Sequence, residues 1–146
     1  MQPKESILKV AKDFDDAIET REIDRILPFF DKQCTIELLG LALHGHKGVR
    51  KWLEWMFQHL SAIAFDPILI MVDGNTFFEE FIVNGTLHDG HQIQSKQAEV
   101  LEYEDSLLKH LRLYFDRLDF AESIASDWIT RKIINKLIHE SIKGLD

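Results

Sequence analysis

The sequence predicts an α+β domain in which short helices come first and a long, curved antiparallel sheet follows. Three observations predict it. Apolar residues recur at helical spacing from Ile7 to Leu60. From Phe65 to Asp116 the pattern changes to strand-like runs, separated by Asp73-Gly74, Asp89-Gly90 and Glu104-Asp105-Ser106. Gly85 interrupts the longest of these runs, where a glycine marks a bulge or a sharp bend. A sheet bent there can curl around the helices and leave a cavity.

Each element follows from its residues. Ile7, Leu8, Ala11, Phe14, Ala17 and Ile18 form the stripe of a first amphipathic helix. Ile23, Ile26, Leu27 and Phe30 continue as a second helix, which Pro28 weakens or ends. Cys34 to Leu39 reads as a short strand, and Leu41 to Gly48 as a loop. Val49, Trp52, Leu53, Met56 and Leu60 make the strongest helical stripe of the chain. Phe65 to Val72 is a strand begun through Pro67, followed by Thr76 to Leu87, a second hairpin strand ending at Tyr103, and a last strand from Leu107 to Asp116. Ser126 can cap a C-terminal helix from Asp127 to about Lys143, with Trp128, Ile133 or Ile134, Leu137 and Ile138 on its apolar side. No repeat or linker interrupts the 146 residues, so one domain is expected, with a core of about 5–121 and a helical extension of about 122–146.

Composition excludes several classes. There are 17 basic against 25 acidic residues, a net charge of −8, which argues against nucleic acid and an anionic membrane surface as partners. A single cysteine, Cys34, forms no internal disulfide and no cysteine zinc cluster. The first ten residues do not read as a signal peptide, and the run from Ile68 to Val72 is too short to span a bilayer. A cytoplasmic location is the expectation.

The turn at Asp89-Gly90 carries the chemistry. As a two-residue loop it pairs His88 with His91, Asn84 with Ser95, Ile82 with Gln97 and Glu80 with Glu99. Two carboxylates then face each other with Cβ atoms about 5 Å apart. Like charges that close call for a shared proton, a cation or a catalytic role. A bulge at Gly85 would shift the register and separate them.

Phe29-Phe30-Asp31, His44-Gly45-His46-Lys47-Gly48-Val49-Arg50 and Arg112-Leu113-Tyr114-Phe115-Asp116, in this order of helices and strands, resemble the nuclear transport factor 2-like superfamily, in its SnoaL-like and ketosteroid-isomerase-like branch. The resemblance covers roughly Glu5 to Ala121. It implies a cystatin-like fold: a cone-shaped curved antiparallel sheet wrapped around N-terminal helices, here with an extra C-terminal helix. It implies chemistry only loosely, because such a fold hosts enzymes and binding domains alike. Of the ketosteroid-isomerase residues, the oxyanion-donating tyrosine corresponds to Phe14, the carboxylate base to Leu38, and the protonated aspartate to Glu99. The Asp-Arg-Asp set of limonene-epoxide-hydrolase-like enzymes corresponds to Ile82, Glu80 and Leu113, and their water-holding Tyr and Asn to Ile36 and Leu38.

These matches, with strand parity, put Ile36, Leu38, Phe78, Glu80, Ile82, Asn84, Gln97, Glu99, Leu101, Leu111, Leu113 and Phe115 on the concave face, closed by Phe14, Trp52 and Trp55. The expected site is an apolar cavity with few polar points, suited to a small apolar molecule. Glu80 and Glu99 are its candidate acid–base pair. No cofactor is expected. His44 and His46 lack further placed metal ligands, His88 and His91 flank an exposed turn, and Cys34 reads as a packed thiol. Phe81, Val83 and Leu87 beside Gln92, Gln94 and Lys96 are assigned to the convex face, where the resemblance implies a homodimer contact; Arg112 and Tyr114 are placed there too.

Three functions fit: cofactor-independent isomerisation, cyclisation or dehydration of an apolar metabolite; binding of an apolar ligand without turnover; or dimerisation around a vestigial cavity. Loss of the tyrosine and of the first-strand base favours the last two. The carboxylate pair favours the first.

Overall fold

The computed structural model describes residues 2–145. Helix α1 (Lys4–Glu19) buries Ile7, Ala11, Phe14 and Ile18, the i, i+4, i+7, i+11 stripe that the sequence shows. It ends at Thr20, and Arg21 then takes a left-handed φ of 61°. That geometry brings the Arg21 guanidinium to the Phe57 carbonyl at 3.1 Å and over the Phe57 ring at 5.5 Å, tying the end of α1 to a later helix. The second helical segment is one α-turn, α2 (Ile23–Ile26), followed by a 3-10 turn at Leu27–Phe29 that holds Pro28.

Strand β1 (Phe30–Leu38) starts four residues earlier than the apolar run suggests. The stretch expected to be a loop contains strand β2 (Leu41–His44) and the first turn of α3 (Gly45–His59). Helix α3 buries Val49, Trp52, Leu53 and Phe57. It passes directly into β3 (Leu60–Asp73), which therefore begins five residues before Phe65. Pro67 lies inside β3 rather than at its start. An edge strand tolerates the missing donor, and the register shifts between Pro67 and Leu69. Strands β4 (Thr76–Leu87), β5 (Gln92–Glu104) and β6 (Leu107–Tyr114) complete the meander.

The six strands form one curved, unclosed sheet in the order β2-β1-β6-β5-β4-β3. All neighbours are antiparallel except β1 and β6, which run parallel, so the sheet is mixed. The parallel pair arises because α3 carries the chain from one edge of the sheet to the other before the meander returns to β1. Helices α1 and α3 pack into the concave face. Phe14 meets Phe30 edge-on at 5.4 Å and Phe30 meets Trp52 at 6.5 Å, locking both helices to β1.

Two helices follow the sheet. Helix α4 (Leu118–Ile124) has no counterpart in the sequence reading: seven residues give too little periodicity to see. Helix α5 (Trp128–Ser141) is capped by Asp127, whose Oδ1 accepts from the Thr130 amide at 2.7 Å; Ser126 does not cap it. Trp128, Ile129, Ile133 and Leu137 of α5 are exposed. No described helix is long and apolar enough to cross a membrane.

Candidate active site

The register of the central hairpin decides which side chains reach the concave face. The loop between β4 and β5 has three residues, His88, Asp89 and Gly90, closed by Leu87 N–H to His91 O at 2.8 Å and Gly90 N–H to Leu87 O at 3.0 Å. Gly90 sits at φ 91°, the left-handed position that ends a three-residue hairpin loop. The extra residue moves every pairing by one. Glu79, not Glu80, stands opposite Glu99, while Glu80 stands opposite Ala98. Because side chains alternate, the whole of β4 turns over. Phe77, Glu79, Phe81 and Val83 point inward and are buried, whereas Phe78, Glu80, Ile82 and Asn84 lie on the convex side. Asn84 bonds there to Asp66 at 2.6 Å and to Gln94 at 2.7 Å. The expected pairing of Glu80 with Glu99 is thus corrected, and Phe78, Ile82 and Asn84 leave the pocket with Glu80. Phe81, Val83 and Leu87 enter it.

A cavity of about 220 Å³ opens between α1, α3, α4 and the concave face of the sheet. Trp52, Trp55, Gln97, Glu99, Leu113 and Phe115 line it, as the sequence suggests. Phe14, Ile36, Leu38, Leu101 and Leu111 are buried in the core without lining it. Phe65, Phe81 and Val83 add to its wall, and Phe120, Ser123 and Ile124 of α4 close one side. Helix α4 is held in place by a polar chain: Gln97 donates to Ser95 Oγ at 3.2 Å, and Ser95 donates to Asp119 Oδ2 at 2.6 Å. Gly85 admits the wall instead of bulging: Leu60 and Ile93 pack over its Cα, so that an added Cβ would meet Leu60 at 2.9 Å and Ile93 at 3.1 Å.

The floor of the cavity is acidic. Carboxylate oxygens of Asp15, Glu79 and Glu99 lie within 4.8 Å of one another. Glu79 is 2% exposed and Glu99 6%. Asp15 and Glu99 line the cavity. Among the described residues no lysine or arginine forms an ion pair with any of the three. Burial, then the charges of Glu79, Glu19 and Asp16, pushes the Asp15 carboxyl up to about 8. Burial alone pushes Glu79 up to about 7. Burial, then the charges of Asp15 and Glu79, holds Glu99 well above the ordinary carboxylate range. All three shifts favour the protonated form, which sets a potential donor beside a potential acceptor, the requirement for general acid–base work. Glu79 Oε1 and the Tyr103 hydroxyl are buried without a hydrogen-bond partner.

Asp15 is the site residue the sequence reading missed. Its signal was present: it falls on the apolar stripe of α1, four residues after Ala11 and three before Ile18. Three carboxylates offer oxygen ligands to a hard cation, but of the other lining side chains only Gln97 and Ser123 carry oxygen, and such ions take six or more oxygens. The histidines do not converge. His46 bonds the Phe30 carbonyl at 2.8 Å, His44 faces Thr35 at 3.3 Å, and His88 reaches the Phe57 carbonyl at 3.3 Å. On the convex side His110 contacts Glu37 and Glu102, and Arg112 pairs with Glu102 at 3.3 Å.

Solved structures of the same fold share little sequence with this chain. An NTF2-like protein of unknown function from Burkholderia pseudomallei superposes with a TM-score of 0.74 at 16% identity, covering 83% of this chain and 98% of its own. SalBIII, an epoxide hydrolase/cyclase-like enzyme of pyran ring formation in the polyether salinomycin, gives 0.72 at 14% identity over 82% of this chain and 97% of its own. A limonene-epoxide-hydrolase-like enzyme of Mycobacterium tuberculosis gives 0.67 at 16% identity over 95% and 97%. At such identities the likeness establishes the fold. No curated protein matches the sequence. The SnoaL-like domain family matches residues 11–111, from the middle of α1 into β6, and the chain belongs to that family.

Proposed function

We propose that this protein binds a small, largely apolar molecule in the concave cavity and acts on it by cofactor-independent acid–base chemistry: isomerisation, cyclisation or dehydration. The observation that carries the reading is the placement of Glu99 and Asp15 on the lining of an otherwise apolar cavity, with Glu79 directly across the sheet from Glu99. A carboxyl kept neutral by burial donates, and an ionised neighbour accepts; two such groups at one point form an acid and a base. Trp52, Trp55, Phe81 and Phe115 supply the apolar wall. The fold neighbours named for cyclase and epoxide hydrolase chemistry support the reaction class by analogy. The absence of a tyrosine at Phe14 and of an acid at Leu38 supports a second reading, in which the cavity holds its ligand without turnover.

The deciding test is a carbon-13 NMR titration of the side-chain carboxyls, with Asp15→Asn, Glu79→Gln and Glu99→Gln for assignment. The expected result is at least one of the three still protonated near pH 7. If all three titrate near 4, the cluster is solvated and the acid–base reading falls. We also propose a homodimer through the convex face of the sheet, which leaves the cavity mouth free.

A further inference from the structure

Two buried acids and a half-buried third, none of them ion-paired to a lysine or arginine among the described residues, lie at one end of a largely apolar cavity, and this is an unusual combination. Each removes the others' easiest means of staying ionised, and neither Glu79 Oε1 nor the nearby Tyr103 hydroxyl has a hydrogen-bond partner. An occupant that brings a positive charge and hydrogen-bond donors serves the three carboxylates at once, Glu79 Oε1 included. A bare metal ion suits only the floor, since the lining side chains beyond the acids add oxygen only at Gln97 and Ser123. An ammonium group suits the floor, and an apolar body attached to it suits the walls. Its three N–H donors match three acceptors. Oxygens placed about 2.8 Å from one tetrahedral nitrogen lie about 4.6 Å apart, inside the 4.8 Å within which the three carboxylate oxygens fall. Aromatic faces at Trp52, Phe81 and Phe115 favour a cation nearby, and a protein of net charge −8 draws cations toward it.

We propose that the cavity takes a small organic amine, with its ammonium group among Asp15, Glu79 and Glu99 and its apolar body against Trp52, Phe81 and Phe115. This rests on the reading of the cavity as a small-molecule site and names the chemical class that fills it. A cavity of about 220 Å³ suits a small body, such as a single ring or a short branched chain. Arg117 and His59 also line the cavity, and neither forms an ion pair with the three acids.

The test is isothermal titration calorimetry with matched probes: benzylamine against benzyl alcohol, and cyclohexylmethylamine against cyclohexylmethanol. The expected result is that each amine binds at least about tenfold more tightly than its alcohol, because a charge-assisted hydrogen bond in a dry site outweighs a neutral one. Asp15→Asn or Glu99→Gln should bring the two members of a pair close to equal affinity while the alcohol still binds, and Glu80→Gln on the convex face should leave the preference unchanged. Circular dichroism identifies which of the two cavity variants folds, and either one suffices. Alcohols binding as tightly as amines would overturn the amine assignment and leave the small-molecule site standing. An amine preference that survives both cavity substitutions would overturn it too, by locating the preference on the acidic surface. If no probe binds, the small-molecule reading itself fails and the amine goes with it.

Discussion

At the scale of residues, the acidic floor couples stability to pH in a direction opposite to that of most carboxylates. Asp15, Glu79 and Glu99 all hold their protons more tightly in the folded protein than in the unfolded chain. The native state therefore binds more protons between about pH 4 and pH 8, and the linkage relation makes stability fall as pH rises through that window. For Glu79, a rise from 4.5 to about 7 corresponds to on the order of 3 kcal/mol. Glu102, held low first by its hydrogen bond to Arg112, acts in the other sense and only as pH falls through the ordinary carboxylate range. Without ligand, the urea midpoint should drop between pH 5 and pH 8. Glu99→Gln should flatten that drop, and Glu80→Gln should not. A flat wild-type profile would show the three acids to be solvated. Glu99 was legible in the sequence because β5 kept its face; Glu79 was not, because one extra loop residue exchanges it with Glu80. Nothing in Asp89-Gly90 alone distinguishes a two-residue loop from a three-residue loop ending on Gly90. Asp15 was legible and overlooked: an acid on an apolar helical stripe is itself the signal of a site.

At the scale of elements, the long periodic segments were readable and the short ones were not. The stripes of α1 and α3 specify those helices because each buries four or more side chains against the sheet. Strand β2 spans four residues and α4 seven, and both are set by what they pack on rather than by their own pattern. Gly48 shows such packing directly. It lies in the first turns of α3, and a Cβ added there would meet the Leu43 carbonyl carbon at 2.9 Å and Leu43 Cβ at 3.0 Å. The first of these is backbone of β2, which cannot swing aside. Alanine is the better helix former by about 1 kcal/mol, so propensity alone predicts that Gly48→Ala stabilises. The contact predicts the reverse, a net loss of about 1–3 kcal/mol, because overpacking has to move a strand paired to β1. Thermal unfolding of the variant decides between them, and a raised midpoint would mean that β2 gives way freely.

At the scale of the whole molecule, the register that turns Glu79 inward also turns an apolar surface outward. Leu69 and Met71 of β3, Phe78 and Ile82 of β4, Val100 of β5 and Tyr114 of β6 share the convex side, since Leu69 pairs with Glu80, Met71 with Phe78, Phe78 with Val100 and Ala98 with Tyr114. Leu69, Met71 and Tyr114 are about half exposed. Apolar side chains on four strands, interrupted by Glu80, make a face of the kind that marks a protein contact. A second copy of the same face would cover it by two-fold symmetry. The ion network of Glu37, Glu102, His110 and Arg112 lies beside it on β1, β5 and β6 and supplies a polar rim. Helix α5 offers a competing surface, with Trp128, Ile133 and Leu137 exposed. The two predict different outcomes in sedimentation equilibrium. If the sheet face holds the dimer, the double variant Met71→Lys, Tyr114→Glu is monomeric and folded, since both side chains are exposed and surface changes shift stability by only about 0.5 kcal/mol. Removing residues 126–146 would then leave a dimer. If α5 holds it, the truncated chain is monomeric and the double variant remains dimeric. We expect the first outcome: α5 packs chiefly on α4, whereas the sheet face is built on strands that are hydrogen-bonded to their neighbours before association, so less entropy is lost when it docks.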